Sequence, residues 1–303
     1  MKTLSFTTMD VFTIEPFAGN PLAVVEGAEG LTTDQMQAIA REFNLSETIF
    51  LMPPQDPLHT ARVRIFTPNI EMPFAGHPTV GAAIFLAQQR FPPDAPIDAI
   101  LVLEENVGPV RCAVALQPNG PSYAEFDSPR LSQKAGTSGT VASVAEAICL
   151  SPADIGFDGH TPVVYSAGAP FAFAPLSSLS SLAAARPGPY LNQVIGERIG
   201  LLAYARLPDD SPNAFRVRMF APDKGVPEDP ATGSAAAAFA GVLARFEKLA
   251  DGRHLFPIEQ GVEMGRPSLI ALEIETLGGV LTACRVGGHA VRVASGQIRV
   301  PIA

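Results

Sequence analysis

Half the chain apart, two short segments carry residues that could do chemistry. Gly76-His77 opens the run AGHPTVGAA, and Gly233-Ser234 opens the run TGSAAAAFA. A helix start presents unpaired backbone N–H groups and the positive end of the aligned peptide dipoles, so it attracts an anion. A glycine there lets a ligand approach the backbone closely. Two such starts lining one cleft would clamp a carboxylate. Either pair taken alone reads as a turn and a cap, Ser234 being a good N-cap type. The matched recurrence is what points to function. A phosphate-binding P-loop does not fit, because Ala82-Ala83 stand where Lys-Ser/Thr would be needed.

Three titratable residues are candidates, two of them beside these starts in the sequence. Asp229 precedes the second one, in Glu228-Asp229-Pro230-Ala231-Thr232-Gly233-Ser234. It could simply favour the helix dipole, or accept a hydrogen bond from a substrate amine or hydroxyl. His77 could cap its helix, or it could shuttle a proton or donate to substrate. Glu47 sits between a helix end and an apolar strand. Counting the offset that relates Arg64 to Arg218, its duplicate is Leu201, so only one half carries a carboxylate there. A glutamate at a strand edge is ordinarily just solvated. In a closed cleft its pKa would rise, giving an acid and base near neutral pH.

The elements that must position these residues also repeat. Residues 62–68 read RVRIFTP and residues 216–222 read RVRMFAP. A period of half the chain is too long for a solenoid and predicts two similar facing domains. In the first half the pattern predicts strands over 4–13 and 22–25, joined by the turn Phe17-Ala18-Gly19-Asn20-Pro21. A helix follows over 33–43, with Thr32 and Gln35 at capping-box spacing and Met36, Ile39, Ala40 and Phe43 on one face. Strands over 48–52 and 61–66 lead to an all-round apolar, hence buried, helix over 78–88. Two more strands fit 100–103 and 111–116. The second half repeats this order: strands over 162–167, 171–173, 201–207 and 214–220, a buried helix over 235–246, and strand-rich sequence from 259. Turns are expected at Gly265-Arg266-Pro267, Gly278-Gly279 and Gly287-Gly288. The Pro/Ser/Gly-rich stretch from Asn119 to Thr140 reads as an inter-domain linker, mobile over 136–140, with a helix over 143–148. The fold class is α+β, each half being strands wrapped around a central apolar helix. A doubly wound Rossmann sheet fits poorly, and no GxGxxG follows the first strand.

The totals narrow the function further. With a formal net charge of −9 and no Lys/Arg run, the 303-residue chain is not expected to bind nucleic acid. Asp10 and Glu15 interrupt any N-terminal apolar stretch, and no window is long enough to span a membrane. Cys112, Cys149 and Cys284 show no CxxC spacing, which fits a reduced, cytoplasmic setting. The histidines form no HxH, HExxH or Cys/His cluster, so no zinc or other metal is expected.

Taken together, the segments DVFT, GNPLAVV, NLSETIFL, RVRIFTP, FAGHPTVG, RMFAP, EDPATGSA, EQGVEMGRPS and VGGHAVRVASGQI resemble the PhzF-like isomerases of phenazine biosynthesis over the whole chain. The resemblance implies the diaminopimelate-epimerase-like fold: two pseudo-duplicated lobes, each a mixed, mostly antiparallel sheet around a central helix, with the site in the cleft between them. The lobes on this reading are residues 1–128 with the C-terminal strand 290–303, and residues 129–289. The resemblance also implies a homodimer with no metal or organic cofactor. Epimerases of this fold place a cysteine at each helix start, where this chain has His77 and Ser234, so a two-thiol racemase is disfavoured. In the PhzF-like branch one glutamate moves a proton between carbons of a cyclic dihydro-hydroxyanthranilate, and Glu47 matches it. His77 and Asp229 match the other catalytic positions, and Gly76, Gly233 and Ser234 match the substrate-binding ones. The expected partner is a small, cyclic carboxylated substrate. The alternatives are an amino- or imino-acid epimerase or racemase, with Asp229 or His77 opposite Glu47, and a non-catalytic carboxylate-binding protein.

Overall fold

Helix α1 (Thr33–Phe43) begins as its spacing predicts: Gln35 N–H donates to Thr32 Oγ1 at 3.2 Å, and Thr32 N–H donates to Gln35 Oε1 at 3.0 Å. It ends at Asn44, whose left-handed φ of 50° suits a short polar side chain. Met36, Ile39 and Ala40 bury one face against Phe50 and Phe66, with Phe43 packing edge-on to Phe6. The computed structural model describes residues 2–92, 94–118, 120–197 and 199–302. The chain divides into two units, Met1–Asp127 with Gly287–Ala303, and Ser128–Val286.

The first unit runs β1 (Thr3–Val11), β2 (Asn20–Val25), α1, β3 (Glu47–Met52), β4 (Ala61–Phe66), β5 (Glu71–Met72), α2 (Gly76–Arg90), β6 (Ile97–Glu105), β7 (Gly108–Leu116) and β8 (Ser122–Asp127). Its sheet is mixed: β2 pairs parallel with β3, and β4 with β6, while β1–β2, β3–β4, β4–β5, β6–β7 and β7–β8 are antiparallel. The other neighbour of β1 is the last strand of the chain. Helix α2 is buried along almost its full length, as an apolar helix without a polar face must be. Gly19 takes φ +64° in the turn before β2, where a Cβ would meet the Val11 carbonyl at 2.3 Å.

The second unit runs β9 (Gln133–Gly136), α3 (Val141–Ala147), β10 (Val163–Ser166), β11 (Pro170–Pro175), α4 (Leu179–Ala184), α5 (Leu191–Ile195), β12 (Gly200–Arg206), β13 (Phe215–Ala221), β14 (Val226–Asp229), α6 (Gly233–Phe246), β15 (Gly252–Gln260) and β16 (Ser268–Leu277). The final strand, β17 (Val280–Arg299), contributes residues to both units. The pairing order repeats that of the first unit: β11 with β12 and β13 with β15 are parallel, the rest antiparallel. Phe239 of α6 lies fully buried among Phe173, Tyr204 and Phe215, with ring centroids 4.8–5.6 Å away.

Three expectations are corrected. The stretch read as a linker contains β8 and β9, leaving residues 128–132 between them; Asn119, where it begins, lies outside the described residues. Within this stretch Ser138 Oγ donates to the Pro162 carbonyl at 2.7 Å, and Thr140 caps α3. Gly287-Gly288 lie inside β17 instead of making a turn; Gly287 has no room for a side chain, since a Cβ there would collide with the Tyr123 hydroxyl. The third correction concerns the duplicate of Glu47. Thr48 pairs with Phe66 and Leu201 with Phe220, while Leu22 pairs with Glu47 and Phe171 with Gly200. The counterpart of Glu47 is therefore Gly200, and Leu201 is that of Thr48. The connection from β12 to β13 is one residue longer than that from β3 to β4, which is what shifts the count.

Candidate active site

In the first unit, β2 and β3 start side by side, and α2 starts close to both. Glu47 is the first residue of β3. The N-cap of α2 is Ala75, whose side chain can cap nothing, so Gly76 and His77 are the first two residues of the helix. His77 is thus not a cap. Its ring is buried, with Nδ1 3.4 Å from Glu47 Oε2. That separation exceeds a good hydrogen bond but leaves each group within the other's electrostatic reach. Burial lowers the His77 pKa to about 3, against the opposing effect of the Pro21 carbonyl, which accepts from the ring. His77 is accordingly neutral at physiological pH and serves as a hydrogen-bonding group rather than a charge.

The second unit builds the matching start differently. Asp229 ends β14 and is buried. Thr232 Oγ1 donates to Asp229 Oδ2 at 2.6 Å. Gln260, at the end of β15 and 1% exposed, ties the loop together. Its Nε2 donates to the Asp229 carbonyl at 2.7 Å and to Thr232 Oγ1 at 3.0 Å, and its Oε1 accepts from Thr232 N–H at 3.1 Å. Thr232 is the N-cap of α6 by position, yet its hydroxyl goes to Asp229 and makes no cap bond. Ser234 is the second helical residue, not the N-cap its type suggested. Sequence reasoning passed over Gln260, whose one signal was its place in the EQG segment.

A repeated brace sets both loops. Arg64 grips Glu71 with Nε and Nη2 at 2.7 and 2.6 Å, and Arg218 grips Glu228 with the same two nitrogens at 2.8 and 2.9 Å. Bidentate pairing fixes orientation as well as distance. Arg218 also donates through Nη1 to the carbonyls of Leu182, Ala183 and Ala185. Each brace precedes its helix by the same spacing, so Glu71-Met72-Pro73-Phe74-Ala75-Gly76-His77 and Glu228-Asp229-Pro230-Ala231-Thr232-Gly233-Ser234 superpose in sequence. The two glycines are common to both. The polar groups are not: His77 matches Ser234, Asp229 matches Met72, and Glu47 matches Gly200. A Cβ on Gly200 would lie 3.2 Å from both the Met219 sulfur and the Phe171 ring, so that position has little room for a side chain.

The structure thus brings Glu47, Gly76 and His77 together in the first unit, and Asp229, Gly233 and Ser234 in the second. No cysteine stands at either helix start. Cys112 and Cys284 are buried, with thiol pKa values raised by desolvation, that of Cys284 to about 12. Among the described residues no group of three His, Cys, Asp or Glu side chains could hold a metal ion, and no helix is long and apolar enough to cross a membrane.

The sequence pattern of the phenazine biosynthesis-like protein family (PhzC-PhzF) matches residues 9–296. The chain belongs to the PhzF family of isomerases. An uncharacterised isomerase of Mesorhizobium japonicum is 47% identical over 98% of this chain and 99% of its own length. The trans-2,3-dihydro-3-hydroxyanthranilate isomerase of Pseudomonas aeruginosa is 35% identical, covering 96% of this chain and 98% of its own. Among solved structures, a PhzF-family phenazine biosynthesis protein of Bacillus anthracis superposes with a TM-score of 0.87 at 25% identity, covering 99% of this chain and all of its own.

Proposed function

We propose that this PhzF-family isomerase shifts a proton between two carbons of a small, cyclic, carboxylated substrate of the dihydro-hydroxyanthranilate class, with Glu47 as the single acid and base. The observation that carries this reading is the asymmetry of the duplicated pattern. Glu47 stands 3.4 Å from His77, whereas its counterpart Gly200 offers no side chain. A two-base epimerase needs a proton carrier on each side of its carbon. The Pseudomonas relative supplies the substrate class.

The chemistry follows from the residues. The Glu47 carboxylate takes the proton of an activated C–H, and the electron pair left behind moves into the ring's double bonds. The Glu47 carboxylic acid then returns the proton to a second carbon on the same face, and Glu47 ends ionised as it began. Neutral His77 offers a hydrogen bond to a ring substituent, and Asp229 accepts one from an amine or hydroxyl. The N–H groups opened by Gly76 and Gly233, with the Ser234 hydroxyl, hold the carboxylate. The two helix starts are taken to act on one and the same substrate, and the working species is taken to be a homodimer.

Incubating the purified chain with trans-2,3-dihydro-3-hydroxyanthranilate tests the reading. Conversion to an isomer with no change in mass is the expected result. No conversion, or conversion that survives Glu47→Gln, would sink it.

A further inference from the structure

We propose that Glu105 works as an uncharged carboxylic acid that positions the start of α2, and with it Gly76 and His77. It lies at the end of β6 and is buried. Thr79 Oγ1 is 2.7 Å from Glu105 Oε1 and 2.7 Å from the carbonyl of Ala75, the N-cap of α2. One hydroxyl carries one hydrogen, and a carbonyl carries none. Both short contacts are satisfied when Thr79 donates to Ala75 and Glu105 donates to Thr79, which requires the proton on Glu105.

The second unit carries the same device in a form that cannot ionise. Arg62 pairs with Glu104 and Arg216 with Glu259, so the next residues, Glu105 and Gln260, occupy equivalent places. Gln260 buttresses the start of α6 through Asp229 and Thr232. A glutamine amide and a protonated glutamate both offer one donor and one acceptor side, so a neutral group does this work in each unit. The two residues after Glu105 reach the same loop: Asn106 Nδ2 donates to Glu71 Oε1 at 2.8 Å, and Val107 N–H donates to the Pro73 carbonyl at 3.0 Å. The end of the β6–β7 hairpin therefore braces residues 71–79 from one side, while Arg64 braces Glu71 from the other.

The surroundings keep the proton in place. Burial raises the Glu105 pKa to about 8, with Thr79 opposing. Of the cations described on the neighbouring strands, Arg62 of β4 acts on Glu71 and Arg111 of β7 pairs with Asp127, so neither compensates a charge at Glu105. Cys112 of β7 is itself raised by burial and by Glu105, and Asp127 of β8, which pairs with Arg111, acts on the same thiol. On the loop side, Glu71 is paired with Arg64. Above pH 8 a carboxylate at 105 would lose its bond to Thr79 as donor and place a charge beneath α2.

This inference rests on the proposed role of the α2 start in holding substrate. The test compares the wild type, Glu105→Gln and Glu105→Ala. Infrared difference spectra recorded from about pH 6 to about pH 9 should show a carboxylic acid carbonyl band, absent from Glu105→Gln, that fades through that range. The wild-type kcat should fall along the same titration. Glu105→Ala should lower kcat by roughly tenfold at neutral pH. Glu105→Gln should recover most of that loss and show no alkaline fall. Absence of the band at neutral pH, or an unchanged alkaline fall in Glu105→Gln, would overturn the proposal. If the chain converts none of the tested substrate, the isomerase reading fails on its own. The infrared titration, with the pH dependence of 3-hydroxyanthranilate binding, then decides about Glu105.

Discussion

Gly200 occupies in the second sheet the place that Glu47 occupies in the first. Both begin the strand that runs parallel to its neighbour, β3 beside β2 and β12 beside β11. The duplicated pattern has two equivalent positions here, and only one holds a carboxylate. Glu47→Gln should therefore lower kcat by about 10² to 10⁴, the span that general acid–base catalysis contributes. Affinity for 3-hydroxyanthranilate, measured by calorimetry, should stay within several-fold, because Glu47 is not among the groups proposed to hold the carboxylate. A variant that binds the ligand weakly and is otherwise as fast as wild type would show Glu47 to be a binding residue instead.

The glycine has its own consequence. Gly200→Ala would press a methyl group against Met219 and Phe171 at 3.2 Å. The expected cost is about 1–3 kcal/mol, as for other overpacked sites. Urea unfolding would read it. An unchanged midpoint would mean that the Phe171 ring swings aside at no cost.

His77 should be silent as a titrating group across the physiological range. Its pKa is lowered by burial from 6.5 to about 3, so the folded state binds fewer protons than the unfolded chain between those values. Its contribution to stability is then fully present above pH 6.5 and is lost as pH falls toward 3. Proton NMR should show one imidazole whose ring signals do not move between about pH 5 and about pH 8. His77→Gln should lose less stability than wild type as the solution is acidified. If all five histidines shift normally with pH, the neutral buried assignment is wrong.

Gln260 should matter for both stability and binding. Gln260→Leu leaves the Thr232 N–H and the Asp229 carbonyl without their partner. A loss of about 1–3 kcal/mol is expected from unfolding curves, since buried polar groups left unpaired cost that much. The Asp229 loop would also loosen, so KM should rise more than kcat falls. The reverse split would assign Gln260 a part in the chemical step.

Much of this architecture could be read before any coordinates. Thr32 and Gln35 announced α1, and the two RVR segments announced the paired strands. Gly76-His77 and Gly233-Ser234 marked both helix starts, because short-range spacing and apolar character determine such features. What escaped depended on contacts distant in sequence. The strands β8 and β9 sit in sequence rich in Pro, Ser and Gly, and only their partners β7 and β10 make them strands. Gly287-Gly288 carried a turn signal but answer to Tyr123, far away in the chain. The equivalence of Glu47 and Gly200 was hidden by one extra residue in the connection from β12 to β13. Glu105 follows another glutamate at a hairpin end and reads as solvated, until Thr79 and Ala75 are seen above it. The helices α4 and α5 are too short to show a period.

The pairing of β1 has a consequence for how the protein is made. β1 lies between β2 and residues 290–299, with Thr3 opposite Arg299, Val11 opposite Ala290 and a register shift between Thr8 and Met9. β1 is thus completed by a strand that is synthesised much later. The second unit, contiguous from Ser128 to Val286, can close while the first still waits with a bare strand edge. Such an edge invites pairing with other chains. A chain interrupted before β17 would therefore not be a slightly smaller enzyme. It would leave β1 unprotected along one edge, a ready substrate for chaperones and for aggregation.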